Sequence, residues 1–322
     1  MKNKYTLIDL FCGAGCFSKG FQLTQRYSIL LGVDNFKPAA STYKTNFPQA
    51  IVLMEDIKDI SSKTIFEHVG RDIDVVIGSP PCEPFTSANP MREKNPLDRL
   101  YKDPIGQLTL DFIRIVGSIK PRVFVMENVP AIMDNGLKNV LRKEFMRIGY
   151  SRIFFNILRA EDCLTPSHRT RVFISNIELK IVKKRDRLTV WDAIGDLPPP
   201  GSYPPNHEPH SELSFKKLKK ISRLKWGQSL IHYYGSNKIL PNFTRLNPFK
   251  LGPTVLGSSR FIHPFENRLL TVREQARLMG FPDNFVFIGG RDEQYNLVGE
   301  AVPVPLAKCI AEYIAERLDE MG

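Results

Sequence analysis

YTLIDLFCGAGCFS, residues 5–18, decides the fold, because a β-rich apolar run passes through a glycine-rich turn into a helical pattern. Small residues in such a turn let a ligand approach the backbone closely. Asp34 ends the next apolar run, at the spacing expected of a carboxylate that binds ribose hydroxyls. Ser18 replaces the third glycine of the dinucleotide fingerprint, so the turn favours a nucleoside-bearing cofactor without a pyrophosphate.

Short apolar runs alternate with helical patterns from residue 5 to about residue 180. Near-continuous apolar strands between helices are typical of a parallel sheet that is covered on both faces. We therefore predict an α/β fold with a doubly wound, mostly parallel sheet. The predicted strands are residues 5–10, 29–33, 51–54, 75–77, 123–126, 153–158 and 172–177, and the clearest helical patterns are residues 104–118 and 138–148.

The pattern changes after residue 187. Residues 197–205, rich in proline, favour a stiff and extended linker, and the chain up to about residue 265 is polar, irregular and rich in lysine. A capping box at residues 271–274 predicts a helix that stops at Gly280, and residues 305–318 predict an amphipathic helix. We predict a large domain over residues 1–187, completed by residues 295–322, and a smaller domain over residues 188–294.

Composition restricts the class of protein. The chain has 322 residues and a net charge of +11, which favours a polyanionic partner, most simply nucleic acid. No apolar run is long enough for a membrane span, and the apolar stretch near the N-terminus is too short for a signal peptide. We therefore predict neither.

The cysteines are five in number and scattered, which argues against a disulfide framework and predicts a reducing, intracellular setting. Only Cys12 and Cys16 are close in sequence. No second pair of Cys or His lies at the spacing of zinc ligands, so we predict no metal site.

Chemically active side chains follow the ends of successive predicted strands. Ligands of an open parallel sheet bind outside the carboxyl ends of its strands, so these side chains are expected to converge on one crevice. Pro80 and Pro81 fix the backbone before Cys82 and so the direction of its thiol, and Arg169 and Arg171 are candidate cationic neighbours of a thiolate. The converging residues are Asp9, Asp34, Asp56, Cys82 and Glu127.

With these residues in place, the sequence resembles the DNA (cytosine-5) methyltransferase family over nearly its whole length, apart from roughly residues 200–250. Its motifs occur in the family's order. They are the cofactor loop at residues 9–15 (DLFCGAG), the nucleophile motif at 78–82 (GSPPC), the acid motif at 127–129 (ENV), the arginine motif at 169–173 (RTRVF), and the late motifs at 273–282 and 299–303.

The resemblance implies a catalytic mechanism. Cys82 adds to carbon 6 of cytosine, which makes carbon 5 nucleophilic enough to take the methyl group. Glu127 holds or protonates ring N3, and Arg169, with Arg171 beside it, fixes the base and stabilises the developing charge. The target atom is inaccessible in a stacked duplex, so the base must flip out of the helix.

The resemblance also implies S-adenosyl-L-methionine as cofactor and duplex DNA as partner, with the chain acting as a monomer. Asp34 is expected to bind the ribose hydroxyls, Asp56 the adenine amino group and Ile57 the adenine ring, while Pro81 shapes the base pocket. The expected cofactor-binding residues are Phe11, Gly13, Gly15, Asp34, Asp56, Ile57, Pro81, Leu108 and Glu300.

The chain departs from the family pattern at several positions. Asp34 stands for a common glutamate, Cys16 for a glycine and Ser167 for a glutamine. Glu83 replaces the glutamine after the nucleophile, and its added negative charge is expected to raise the pKa of the thiol. Glu300 replaces the asparagine of the last motif. The three catalytic side chains are intact, so we expect the reaction to be kept.

The small domain falls where the family recognises its target. Residues 211–225 carry six basic residues and one acid, with apolar residues at helical spacing between them. We expect a phosphate-contacting surface there, with Lys216 and Lys219 on it, and further DNA contacts from Thr254 and Arg260. Residues 83–103 resemble the family's mobile loop that closes over DNA.

Three other functions remain open from the sequence. A methyltransferase acting on tRNA cytosine is disfavoured because residues 200–270 lack the Cys-Phe-Thr tripeptide of those relatives. A non-enzymatic DNA-binding relative would be expected to lose Cys82 or Glu127, and both are present. A nicotinamide-dependent oxidoreductase is disfavoured by the missing third glycine of the cofactor turn.

Overall fold

The computed structural model describes residues 4–209, 213–235 and 239–321, and its centre is a seven-stranded sheet in the order β3-β2-β1-β4-β5-β7-β6. Each predicted apolar run forms one of its strands. The strands are β1 (Tyr5–Leu10), β2 (Tyr27–Val33), β3 (Ile51–Leu53), β4 (Val75–Gly78), β5 (Val123–Asn128), β6 (Phe154–Arg159) and β7 (Thr170–Ser175).

The sheet is mostly parallel. Strands β3, β2, β1, β4 and β5 are all parallel, and β7 runs antiparallel to both of its neighbours, β5 and β6. The carboxyl ends of β1 to β5 therefore meet at one edge of the sheet, as the sequence predicted. This arrangement confirms the predicted fold class.

Eleven helices, with two short 3-10 helices, are found among the described residues. They are α1 (Cys16–Leu23), α2 (Lys37–Asn46), α3 (Ser62–Val69), α4 (Pro96–Tyr101), α5 (Leu108–Ile119), α6 (Leu137–Arg147), α7 (Val190–Ile194), α8 (Phe215–Ile221), α9 (Val272–Arg277), α10 (Arg291–Glu300) and α11 (Val304–Met321); the 3-10 helices are Pro130–Gly136 and Ala160–Cys163.

Both faces of the sheet are buried, because neighbouring side chains of a strand point to opposite faces. Val125 packs with α1, α2 and α11 on one face, whereas Phe124 packs with α3, α5 and α6 on the other. At the first face α1 and α11 approach closely: a Cβ on Gly20 would lie 2.3 Å from the Cβ of Ala307. The C-terminal helix thus completes the main core.

A small region, defined as residues 213–235 and 239–269, carries the two-stranded antiparallel sheet of β8 (Ser229–Tyr234) and β9 (Ile239–Thr244). Its own core is slight, with four buried hydrophobic side chains. The chain that follows returns to the main core, where Phe285 packs against Phe47. The four buried residues are Ile221, Phe243, Ile262 and Leu269.

The late helices begin where the sequence predicted. Thr271 and Glu274 form the predicted capping box, and the helix they open ends at Arg277, three residues before Gly280. No helix among residues 4–209, 213–235 and 239–321 is long and apolar enough to cross a membrane. Within the same residues, no group of three or more His, Cys, Asp and Glu could hold a metal ion.

Candidate active site

A cavity of about 610 Å³ opens at the carboxyl ends of β1, β2, β4 and β5. This volume is within the range of pockets that bind drug-sized ligands, which is roughly 300–1,000 Å³. All but one of the predicted catalytic and cofactor-binding residues line it. Those that do are Phe11, Gly13, Asp34, Asp56, Ile57, Pro81, Cys82, Leu108, Glu127, Arg169, Arg171 and Glu300.

The glycine-rich turn between β1 and α1 is held open by Asp34. One carboxylate oxygen of Asp34 accepts a hydrogen bond from the Gly13 amide at 2.8 Å, and the other accepts one from the Phe36 amide at 2.9 Å. Gly13 has a φ of 52° and no atom within 4 Å of a Cβ built on it. The turn therefore presents bare backbone to the cavity. Burial raises the pKa of Asp34, and the two amide bonds oppose that rise.

Gly15 is the predicted cofactor-binding residue that does not line the cavity. A Cβ on it would lie 2.4 Å from the Phe47 ring and 2.8 Å from the Tyr43 ring, and its φ is 89°. Close packing against α2 requires a residue without a side chain at this position. The pattern of a glycine-rich turn does not show whether a glycine is needed for such packing or for the approach of a ligand.

The loop after β4 holds the thiol of Cys82 at the cavity wall. Asn128, at the end of β5, donates a hydrogen bond from Nδ2 to the Pro80 carbonyl at 3.1 Å. The Cys82 carbonyl accepts hydrogen bonds from the amides of Phe85 and Thr86, at 3.0 and 2.9 Å. Both the entry and the exit of the loop are thus fixed, which leaves the thiol little freedom to change direction.

Neighbouring charges shift the pKa of the Cys82 thiol in opposite directions. Burial raises the pKa of Cys82 to about 11, and Glu83 and Glu127 add to the rise. Arg171 and Arg169 act in the opposite direction. The thiol is therefore protonated near neutral pH in the free protein, and a nucleophilic role requires that a bound substrate or a base favour the thiolate.

Glu127 faces Arg171 across the ends of β5 and β7. The Arg171 Nε lies 3.0 Å from Glu127 Oε1, and the two side chains are only 12% and 8% exposed. The pair is possible because β7 runs antiparallel to β5, which brings the start of β7 beside the end of β5. One carboxylate oxygen is thus oriented by a cation at the cavity wall.

Arg169 connects this site to the small region. Its side chain is buried and donates a hydrogen bond from Nη1 to the Val255 carbonyl at 2.8 Å, while its Nε is buried without a partner among the described residues. Burial, with Arg171 nearby, lowers the pKa of Arg169 to about 9. The Nε is closed to solvent in this conformation, so a bound base could reach it only if the side chain moved.

Glu300, at the end of α10, also lines the cavity. The helix end is packed closely: a Cβ on the preceding Gly299 would lie 2.1 Å from the backbone of Gly257. The Glu300 side chain is exposed to the cavity, but protein atoms surround most of it. This partial desolvation, together with Glu83 and Asp34, raises the pKa of Glu300 to about 7.

The predicted DNA-contacting residues lie outside the cavity. Lys216 and Lys219 are exposed on α8, whereas Thr254 is half-buried beside Val255. Arg260 is engaged within the chain: it forms an ion pair with Asp292 at 2.5 Å and lies over the ring of Tyr295 at 4.1 Å. A DNA contact by Arg260 would have to break this pair.

The predicted basic helix of residues 211–225 forms only in part. Residues 211 and 212 lie outside the described residues, and α8 spans Phe215–Ile221. Ile221 is fully buried, whereas Phe215, expected on the apolar face, is 82% exposed. The helix is anchored by Ile221 near its C-terminal end, and Lys217 also contacts the small core, with its Nζ 3.8 Å from the centre of the Phe243 ring.

The predicted mobile loop is ordered by two of its own arginines. Arg92 donates to the Phe85 carbonyl at 2.7 Å, and Arg99 is buried and donates to the Glu93 carbonyl at 2.6 Å. Lys102 pairs with Asp98 at 3.2 Å on α4. Three cations of this segment thus support the loop in this conformation.

One pair of cysteines that are in contact was not predicted. Cys163 and Cys309 lie within hydrogen-bonding distance of each other, where α11 packs on the 3-10 helix Ala160–Cys163. They are far apart along the chain, so no local spacing could reveal the contact. Cys12 and Cys16, the pair that is close in sequence, are buried in the main core.

Comparison with known proteins assigns this site to a family. The family model of the C-5 cytosine-specific DNA methylases matches residues 5–316. A Methanocaldococcus jannaschii protein with a provisional type II methyltransferase name is 51% identical over 317 residues, which cover 97% of this chain and 99% of that protein. Type II methyltransferase M1.HphI of Haemophilus parahaemolyticus is 35% identical, over 96% of this chain and 86% of its own.

Solved structures share the fold. A prophage-encoded protein of E. coli, named provisionally as a DNA modification methyltransferase, aligns with a TM-score of 0.78 at 24% identity, over 98% of this chain and 100% of its own. The Entamoeba histolytica methyltransferase EhMeth aligns with a TM-score of 0.72 at 17% identity, over 98% of this chain and 99% of its own. With the family match spanning nearly the whole sequence, the chain belongs to the C-5 cytosine-specific DNA methylase family.

Proposed function

We propose that the protein transfers a methyl group from S-adenosyl-L-methionine to carbon 5 of a specific cytosine in duplex DNA, through a covalent bond between Cys82 and carbon 6. The observation that carries the proposal is that Cys82 and Glu127 line one cavity, with Arg171 at 3.0 Å from Glu127. That cavity also contains the glycine-rich turn and Asp34. A nucleoside cofactor and a pyrimidine would thus meet in one place.

The cofactor fits the residues at the β1 and β2 side of the cavity. Gly13 offers open space where any other residue would place a Cβ, and Phe11, Asp34, Asp56 and Ile57 line the same cavity. These residues would hold the nucleoside, with Asp34 near the ribose and Asp56 near adenine. When bound, the cofactor supplies the methyl group on a positively charged sulfur. A nicotinamide dinucleotide would fit this turn less well, because the turn has no third glycine for a pyrophosphate.

The chain's own residues would act in sequence on the base. Cys82 attacks carbon 6 as a thiolate, while Glu127 binds or protonates N3, so that the added electron pair does not accumulate as an unstable anion. Arg171 orients Glu127, and the positive charge of Arg169 at the cavity wall would stabilise the charge that develops on the base. The pocket is reached only by a base outside the stack, so the target cytosine must flip.

DNA is proposed to lie across the opening between the cavity and the smaller target-recognition domain of residues 188–294. Lys216 and Lys219, on the exposed face of α8, would contact phosphates without reading sequence. The names of the relatives favour a type II, site-specific enzyme. We propose that it acts as a monomer, which light scattering with and without DNA would test.

The reaction and its target are tested together in cells. A plasmid recovered from cells that express the chain is sequenced after bisulfite treatment, and protected cytosines within one short motif are expected. Plasmid from cells expressing Cys82→Ala is the control and should show none. Protection in both samples, or in neither, would contradict the proposal. Labelled methyl transfer to duplex DNA and to tRNA in parallel tests the RNA alternative, which predicts label in tRNA only.

A further inference from the structure

We propose that Glu300 is the base that removes the proton from carbon 5 after methylation. This inference rests on the proposed function, since it concerns the last step of that reaction. After methyl transfer, carbon 5 carries both the new methyl group and its original hydrogen, and Cys82 is still bound to carbon 6. A base takes the hydrogen as a proton, the electron pair of that bond forms the ring double bond, and Cys82 leaves as a thiolate. No oxidant or reductant is needed.

Other carboxylates of the cavity have different roles or are too distant. Asp9 is buried and accepts a hydrogen bond from Ser18 at 2.7 Å, and both oxygens of Asp34 accept backbone amides. Glu127 is oriented by Arg171 and is needed at N3. Glu55 and Asp56 follow β3, which two strands separate from β4, or about 14 Å at the usual strand spacing.

Glu300 lines the same cavity as Cys82, Glu127 and Asp34. Of the charged groups that act on it, Asp34 is on the cofactor side, while Glu83 and Arg169 are on the side of the nucleophile. It ends α10, and the close packing of Gly299 on the backbone of Gly257 fixes that helix end. Glu83 also borders the cavity, but it directly follows the nucleophile in the loop after β4 and already acts on the charge of that thiol.

The proton affinity of Glu300 suits this step. Burial, then Glu83 and Asp34, raise its pKa to about 7, and Arg169 opposes the rise. A base with a pKa near the working pH combines sufficient strength with a sufficient ionised fraction. Because the side chain is also exposed, it can pass the proton on to water. The ionised form is the active one, so turnover that is limited by this step should rise with pH through about 7.

The test uses Glu300→Gln, with Glu312→Gln as control, since Glu312 is an exposed carboxylate on α11 outside the cavity. Each variant receives ordinary duplex DNA and S-adenosyl-L-methionine, and complexes that survive denaturing electrophoresis are counted. In Glu300→Gln we expect such complexes to accumulate, because the methylated adduct cannot lose its proton. Turnover should fall about 100-fold, and its rise with pH near neutrality should disappear.

Turnover of Glu300→Gln at the rate of the unaltered protein would overturn the inference, and so would a slower rate without accumulated complex. DNA containing 5-fluorocytosine separates this result from a failure of the proposed function, because fluorine cannot leave as a proton. Both proteins should be trapped on that DNA to the same extent. If neither is trapped, the covalent mechanism fails, and the role of Glu300 fails with it.

Discussion

The catalytic cavity and the small region differ in what determines the positions of their residues. The cavity is built on the carboxyl ends of parallel strands, and its side chains are held by bonds such as Asp34 to Gly13 and Asn128 to Pro80. The small region has two paired strands, a short basic helix and a slight core. The first can position atoms for chemistry, whereas the second presents charge and exposed side chains to a polymer. We expect substitutions in the cavity to reduce methyl transfer strongly, and substitutions in the small region to have smaller effects, mainly on DNA binding.

The largest effect is expected at Cys82. Cys82→Ala removes the nucleophile and should lower methyl transfer by about 10⁴-fold or more. DNA affinity should change little, because the thiol contributes almost nothing to phosphate binding. Labelled methyl transfer and a DNA-binding titration measure the two quantities. Cys309 is a half-buried thiol outside the cavity, so Cys309→Ser is the matched control and should keep its activity. Turnover by Cys82→Ala at the rate of the unaltered protein would remove the mechanism.

A smaller but large loss is expected when the ion pair of Arg171 and Glu127 is broken. Arg171→Met leaves a buried carboxylate without its cation, which should lower the free energy of unfolding by about 3 kcal/mol. Methyl transfer should fall about 100-fold, because Glu127 is no longer oriented.

Arg147→Met is the control for that variant. Arg147 pairs with Glu144 at 2.6 Å on α6, but its side chain is 71% exposed. Loss of an exposed pair should change stability by less than about 1 kcal/mol. Denaturant unfolding of both variants makes the comparison, and equal losses would mean that burial of the Arg171 pair has no energetic weight.

Charge removal in the small region should affect binding rather than chemistry. Replacing Lys216 and Lys219 together by Ala should weaken DNA binding about 10-fold at moderate salt and reduce the salt dependence of log K by about 2, with turnover at saturating DNA unchanged. Lys63→Ala, an exposed lysine of α3, is the control. An unchanged salt dependence in the double variant would exclude α8 as a phosphate contact.

The smallest effect is expected on the pKa of the Cys82 thiol. Glu83 helps to raise the pKa of Cys82 to about 11, so Glu83→Gln should lower that pKa and increase the thiolate fraction at a given pH. We expect iodoacetamide to label Cys82 a few times faster at pH 8. Mass spectrometry of the labelled peptide reports the rate. Slower labelling than in the unaltered protein would contradict the assigned sign.

The residues of the cavity could be predicted from the sequence because the topology of the sheet determines where they lie. Once the apolar runs are assigned to parallel strands, Asp34, Cys82 and Glu127 must fall at the same edge of the sheet, whatever the side-chain detail. The capping box at Thr271 was equally local and equally visible. Both predictions depend only on residue types at short spacing along the chain.

Features that depend on contacts between distant segments could not be predicted. Gly15 faces Tyr43 and Phe47, and Arg169 reaches the carbonyl of Val255, which lies 86 positions further along the chain. Asp292, the partner of Arg260, lies 32 positions after it. None of these contacts produces a periodic pattern in the sequence. The sequence therefore shows the residue type at each position but not the residue that it contacts in space.

The most direct test of the account asks which cysteine bonds to the base. Duplex DNA containing 5-fluorocytosine at the motif identified by bisulfite sequencing is incubated with the protein and S-adenosyl-L-methionine, and the trapped peptide is mapped by mass spectrometry. We predict a single adduct on Cys82, and a much reduced yield of it in Glu127→Gln. An adduct on another cysteine, or an undiminished yield in Glu127→Gln, would contradict the claim that these two side chains act on one pyrimidine.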